Sequence, residues 1–143
     1  MPVGWIGLGI MGAPLAGHIL RAGHPLFVYA RTREKAAPLV AQGASCCESP
    51  AAVARRCDVL MTMVTDTPDV ETVLFGVDGA LQGLRSGAIV VDLSTISPDA
   101  AKVMAARLAE QGVTLLDAPV TGGDVGARNA TLTIMVGGPA DAF

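Results

Sequence analysis

WIGLGIMGAPLAGHIL, residues Trp5 to Leu20, changes character twice within sixteen positions. The apolar run Val3-Gly4-Trp5-Ile6 leads into it and reads as a short buried strand. Met11, Leu15 and Ile19 then recur at four-residue spacing, which predicts a helix ending near Gly23. Between the two lies Gly7-Leu8-Gly9-Ile10-Met11-Gly12, a complete G-x-G-x-x-G. The pattern is weak alone, but here it follows the first strand and opens a helix, the context that a dinucleotide-binding fingerprint needs. Gly7 is expected to make the tight turn and Gly9 to let a pyrophosphate approach the backbone. Gly12 is expected to let helix and strand pack closely. The helix start then offers free N–H groups and a partial positive charge to the phosphates. A glycine-rich core turn is the structural alternative. Hydropathy would also suit a membrane or signal segment over Pro2 to Gly17. That reading fails on the absence of a basic leader, on Pro14 and five glycines, and on His18 and Arg21 closing the run early.

Working outward, strand-like and helix-like runs alternate. Strands are predicted at Leu26 to Tyr29, Val59 to Val64, Ile89 to Leu93, Val113 to Asp117 and Leu132 to Val136. A helix is predicted from Thr32, as N-cap, to about Gln42, with Pro38 tolerable only in its first turn. A turn is expected at Thr65 to Pro68, and another helix from Ser97-Pro98 with Ala100, Met104 and Leu108 on one face. This alternation implies βαβ units and a parallel sheet. The expected fold is α/β, a Rossmann-type doubly wound, mostly parallel sheet with helices on both faces. One dinucleotide-binding domain is expected over residues 1–143, with ligands outside the carboxyl ends of the strands.

Composition agrees. The chain is 51% hydrophobic and 16% charged, as suits strands buried on both faces. Its net charge of −3 and 3% aromatic content argue against nucleic-acid binding, and no basic patch interleaves with aromatics. Cys46, Cys47 and Cys57 have neither metal nor redox spacing and read as small buried hydrophobes in a reducing, cytoplasmic setting. No metal site is expected.

The second strand carries the cofactor choice. A NAD site usually places an Asp or Glu at its end to hold the ribose hydroxyls. Here the strand ends in Ala30, followed by Arg31-Thr32-Arg33. Two guanidiniums and a hydroxyl suit a phosphate, which arginine holds with a bidentate fork. NADP(H) is therefore expected, with NAD(H) second. A solvated basic turn at a helix start is the alternative, and Glu34 and Lys35 are ordinary residues for one.

A further stretch, LLDAPVTGG, residues Leu115 to Gly123, ends a predicted strand in a hydroxyl and bare backbone. Glycines expose N–H groups that can form an anion-binding concavity, and Thr121 adds a donor. Together with "IGLGIMGAPLAGHILRAGH", "VDLSTISP" and "TLTIMVGG", it makes the chain resemble the β-hydroxyacid dehydrogenase family over nearly its whole length. That family includes 3-hydroxyisobutyrate dehydrogenase, 2-hydroxy-3-oxopropionate reductase and glyoxylate/succinic semialdehyde reductases. The resemblance implies hydride transfer between a nicotinamide cofactor and a short hydroxyacid or semialdehyde. It implies that Gly7, Leu8, Gly9, Ile10, Met11 and Gly12 hold the pyrophosphate, and Arg31, Thr32 and Arg33 the adenosine end. It implies further that Met63, Val64 and Thr65 form a loop over the cofactor and that Thr95 lies near the nicotinamide. By the same resemblance, Thr121, Gly122 and Gly123 would bind the substrate carboxylate.

Three positions depart from the family pattern: Thr65 stands for a usual proline, Asp124 for a neutral residue and Ala130 for a glycine. Asp124 is unfavourable beside a carboxylate site unless it points away or reads a substrate hydroxyl. The family's proton-transferring lysine has no counterpart. Lys35 belongs to the adenosine end, Lys102 to a solvated helix, and His18 and His24 read as structural. No catalytic residue is assigned in this chain. The lysine is expected beyond Phe143, in an all-helical domain through which the full-length enzyme forms a homo-oligomer. Imine reductases and 6-phosphogluconate dehydrogenases share the glycine loop, and a non-catalytic nucleotide sensor is the reading from another class.

Overall fold

The computed structural model describes all residues from Met1 to Phe143. The chain begins with β1 (Val3–Ile6), α1 (Gly12–Arg21) and β2 (Leu26–Tyr29). A 3-10 turn (Arg33–Ala36), α2 (Ala37–Ala41), β3 (Ser45–Cys46) and α3 (Pro50–Ala54) follow, then β4 (Val59–Thr62) and α4 (Thr67–Phe75). A second 3-10 turn (Ala80–Gln82) precedes β5 (Ile89–Asp92), α5 (Pro98–Ala109), β6 (Thr114–Asp117), β7 (Val120–Thr121), α6 (Gly123–Asn129) and β8 (Thr133–Ile134).

Six strands form one sheet in the order β3-β2-β1-β4-β5-β6. Every pairing in it is parallel. This is the doubly wound arrangement that the sequence predicts. The order reverses between β1 and β4, and a crevice opens there at the carboxyl ends. Tyr29, Ile6, Thr62, Asp92 and Asp117 lie in register along that edge.

The central strand β1 is buried throughout because helices cover both faces. One core packs Ile6, Leu60 and Val90 against Val53 of α3, Leu74 of α4 and Leu108 of α5. The other packs Trp5, Val28 and Leu93 against Ala16 of α1 and Leu39 of α2. Helix starts follow local chemistry. The Ser49 and Ser97 side chains accept hydrogen bonds from the backbone N–H groups of Ala52 and Ala100, each at 3.1 Å, and proline follows each cap.

Four expectations need correction. The predicted Thr32–Gln42 helix breaks into the 3-10 turn and α2, and the Thr32 side chain caps nothing. Pro38 sits in the first turn of α2, the one place where its missing N–H costs little. The predicted strand Val59–Val64 stops at Thr62, and Thr65–Pro68 runs directly into α4. Of Leu132–Val136, only Thr133–Ile134 forms a strand; it pairs antiparallel with β7, outside the main sheet.

Helix α6 carries two glycines and was not legible from periodicity; tertiary contacts hold it. A Cβ on Gly126, or on Gly122 at the N-cap, would stand 2.9 Å from Leu132 Cδ2, so these two positions make room for that side chain. His18 Nε2 of α1 donates to the Ala127 carbonyl at 2.7 Å, while its Nδ1 faces Arg21 at 2.8 Å. His18 is thus a bridge between α1 and α6. Ala130 ends α6 in the left-handed conformation, φ 56°, which explains why a glycine would suit that position.

Candidate cofactor-binding site

A cleft of about 520 Å³ lies at the switch point. Its floor is the segment Gly7 to Gly12, leading from β1 into α1. The three glycines do different work. Gly7 has φ +104°, and a Cβ there would land on the Met63 carbonyl. Gly12 has no room for a Cβ because the Gly7 carbonyl oxygen lies against it. Gly9 has nothing within 4 Å of that position, so its backbone faces open space. A tight turn, a close helix–strand approach and an open face for a ligand are what a pyrophosphate cradle requires. The Trp5 indole N–H donates to the Gly7 carbonyl at 2.8 Å and braces the turn from below. Leu8 is buried and contributes structure, whereas Ile10 is 77% exposed on the cleft wall.

Opposite walls come from β2 and β4. Arg31 and Thr32 line the end beyond β2, and Lys35 joins them from the 3-10 turn. Arg33 begins that turn and is not among the lining residues. Met63, Val64 and Thr65 close the other side, as expected. Sequence reading missed Asp69 of α4, which projects into the same end of the cleft. Its Oδ1 lies 3.5 Å from Arg31 NH2. No local pattern could have paired residues 38 positions apart.

A buried network fixes the Met63–Thr65 loop. Thr62 Oγ1 donates to Asp92 Oδ1 at 2.7 Å, and the Ser94 N–H donates to the same oxygen at 3.2 Å. Ser94 Oγ in turn accepts from the Val64 N–H at 2.9 Å, tying the loops after β4 and β5 together. Asp92 is wholly buried. Burial pushes its carboxyl above the ordinary range against these hydrogen bonds, and the charge of Asp117 adds to the rise. Burial raises Asp117 as well. Asp92 Oδ2 and Asp117 Oδ1 have no hydrogen-bond partner.

A folded carboxyl with a raised pKa binds more protons than the unfolded chain does. Stability is therefore full below the ordinary value of 3.8 and falls as pH rises through the folded values. Asp92→Asn keeps an acceptor for Thr62 and Ser94 and removes the buried charge that Asp117 opposes. Thermal midpoints measured from pH 4 to 8 should show a shallower decline for this variant, with stability at pH 7 equal to or above wild type. A variant less stable than wild type at pH 7 would refute the account.

Thr95 is exposed beyond β5, and Thr121, Gly122 and Gly123 are exposed beyond β6. All four share the carboxyl edge of the sheet with the cleft but do not line it. Gly122 and Gly123 have φ +126° and +62°, and a Cβ on Gly123 would meet nothing within 4 Å. Asp124 is paired with Arg128 at 2.8 Å. That hydrogen bond and charge hold its carboxyl below the usual range, so its charge is largely compensated. The three cysteines are free, and burial pushes the Cys57 thiol up to about 11, as suits a packing residue. No helix is long and apolar enough to cross a membrane.

The sheet order, the glycine turn and the cleft define a dinucleotide-binding α/β domain. Residues 2–143 match the family described as the NAD binding domain of 6-phosphogluconate dehydrogenase, and the chain belongs to that family. It is 46% identical to the 2-hydroxy-3-oxopropionate reductase of Escherichia coli (strain K12), over 100% of this chain and 49% of that protein. A solved 3-hydroxyisobutyrate dehydrogenase from Salmonella typhimurium superposes with TM-score 0.94 at 36% identity, covering 100% of this chain and 50% of that one. Psf3 in complex with NADP+ and 2-OPP superposes with TM-score 0.92 at 38% identity, covering 98% and 50%. An imine reductase from Pseudomonas sp. is less similar, at 26% identity and TM-score 0.85. The chain spans about half the length of the curated relatives it matches.

Proposed function

We propose that this chain is the cofactor-binding half of an NADP(H)-dependent oxidoreductase. Its substrate would be a short 3-hydroxyacid or semialdehyde such as 2-hydroxy-3-oxopropionate, glyoxylate or 3-hydroxyisobutyrate. The cofactor supplies the hydride, and the protein's task is to bind, orient and exclude. Gly7 to Gly12 would hold the pyrophosphate with backbone N–H groups. Arg31 and Thr32, with Arg33 and Lys35 adding positive charge, would hold the adenosine end. Met63, Val64 and Thr65 would cover the cofactor, with Thr95 toward the nicotinamide. Thr121, Gly122 and Gly123 would take the substrate carboxylate. Proton transfer is assigned to a lysine outside residues 1–143, in an all-helical domain that would also mediate homo-oligomerisation. The length of the relatives supports that division. The cytoplasm is the proposed location.

The observation that carries the reading is the cleft itself. It has a glycine cradle at one end and cationic Arg31 and Lys35 at the other, with no carboxylate at the end of β2. The D-A-P-V-T-G-G segment favours a hydroxyacid substrate over an imine. Titration with NADPH and NADH, followed through Trp5 fluorescence, tests the proposal. Trp5 is wholly buried and hydrogen-bonded to the phosphate turn, so it should report occupancy. Tighter binding of NADPH is the expected result. Preference for NADH would discard the arginine argument, and binding of neither would favour a different role for the cleft.

A further inference from the structure

The adenosine end of the cleft carries a negative charge that the cofactor reading leaves unused. Arg31 NH2 faces Asp69 Oδ1 at 3.5 Å, with side chains 80% and 31% exposed. That separation exceeds the ~2.7–2.9 Å of a charge-assisted hydrogen bond, so the contact is a loose electrostatic one. Asp69 lies in the first turn of α4, where the helix start attracts a negative side chain, and its backbone N–H donates to the N-cap Asp66 Oδ1 at 3.3 Å. Both residues line the cleft together with Lys35.

We propose that Asp69 is a specificity-determining residue that competes with the 2′-phosphate of the cofactor for Arg31. The inference rests on the NADP(H) reading above. A phosphate of charge about −1.5 to −2 approaching Arg31 meets a carboxylate already there. Either the ion pair opens or two anions share one guanidinium. A ribose 2′-hydroxyl carries no charge and meets neither cost. Asp69 thereby lowers the margin by which the site favours NADPH over NADH, and leaves both cofactors within reach of the same cleft.

The test is a set of dissociation constants for NADPH and NADH, measured on wild type, D69N, R31A and the double variant. D69N should raise the NADPH:NADH affinity ratio about two- to fivefold, the range expected for releasing an exposed ion pair. The gain should vanish in the R31A background. It should also shrink at about 1 M salt, where the screening length falls to ~3 Å. An unchanged or lower ratio in D69N would overturn the inference; a fall would mean that Asp69 orders Arg31 or holds a ribose hydroxyl. A gain that persists without Arg31 would also overturn it. Failure of the NADP(H) reading looks different: wild type and R31A would then share one ratio. D69N is a surface substitution, and an unchanged thermal midpoint will confirm that it folds.

Discussion

Arg31→Ala is expected to weaken NADPH binding by about 10- to 100-fold while changing NADH binding severalfold at most. The magnitude follows from hydrogen bonds to a charged group, worth about 1.5–3 kcal/mol when removed from a formed site. Arg31 stands at the end of the cleft where β2 supplies no carboxylate, and its side chain is 80% exposed, held only by the loose contact with Asp69. Its planar fork matches phosphate geometry in a way that lysine does not, so Arg31→Lys should recover only part of the loss. Dissociation constants from fluorescence titration at fixed salt decide the matter. Equal losses for the two cofactors would show that Arg31 supports the cleft generally and does not read the 2′-phosphate.

Gly7→Ala is expected to destabilise the fold by about 2–4 kcal/mol, from backbone strain and overpacking together. The residue has φ +104°, where an L side chain is strained. The new methyl would also land on the Met63 carbonyl, pushing the floor of the cleft away from its β4 wall. Affinity for both cofactors should fall together, because the pyrophosphate that the turn is proposed to hold is common to both. Gly9→Ala is the informative contrast. Its methyl meets nothing within 4 Å, so urea denaturation should show little change. Cofactor affinity should nevertheless fall, because the methyl would occupy the face proposed for the pyrophosphate. If Gly9→Ala binds both cofactors normally, the cleft floor does not approach a ligand there.

The elements read correctly from sequence share one property: their signal is local. β1, β2, β5 and β6 are short apolar runs. α1 and α5 show helical spacing, and α5 carries a Ser-Pro start that the structure confirms as a capped N-terminus. The glycine turn was legible because its three glycines stand at fixed spacing: Gly7 and Gly12 each answer a separate steric demand, and Gly9 leaves its face open. Elements that escaped reading lack such signals. β3 has two residues and α3 five. α6 contains glycines that propensity counts against a helix, and it forms because Leu132 fills the space above Gly122 and Gly126 while His18 anchors the Ala127 carbonyl. The single helix expected after Thr32 gave way to a 3-10 turn and a short α2 around Pro38.

The same division holds at the site. Residue type and spacing alone determined the glycine turn, the basic end after β2 and the absence of a carboxylate at Ala30. Each depends on neighbours a few positions away, whose geometry the backbone dictates. Folding alone decided that Asp69 would face Arg31 from another helix. It also placed Asp92 between Thr62 and Ser94 with an unpartnered oxygen, in register with Asp117, and let Lys35 rather than Arg33 line the cleft. Charges brought together from distant parts of the chain interact through space. Their separation, and hence the sign and size of their effect on a ligand, exists only once the sheet has set its strand order and register.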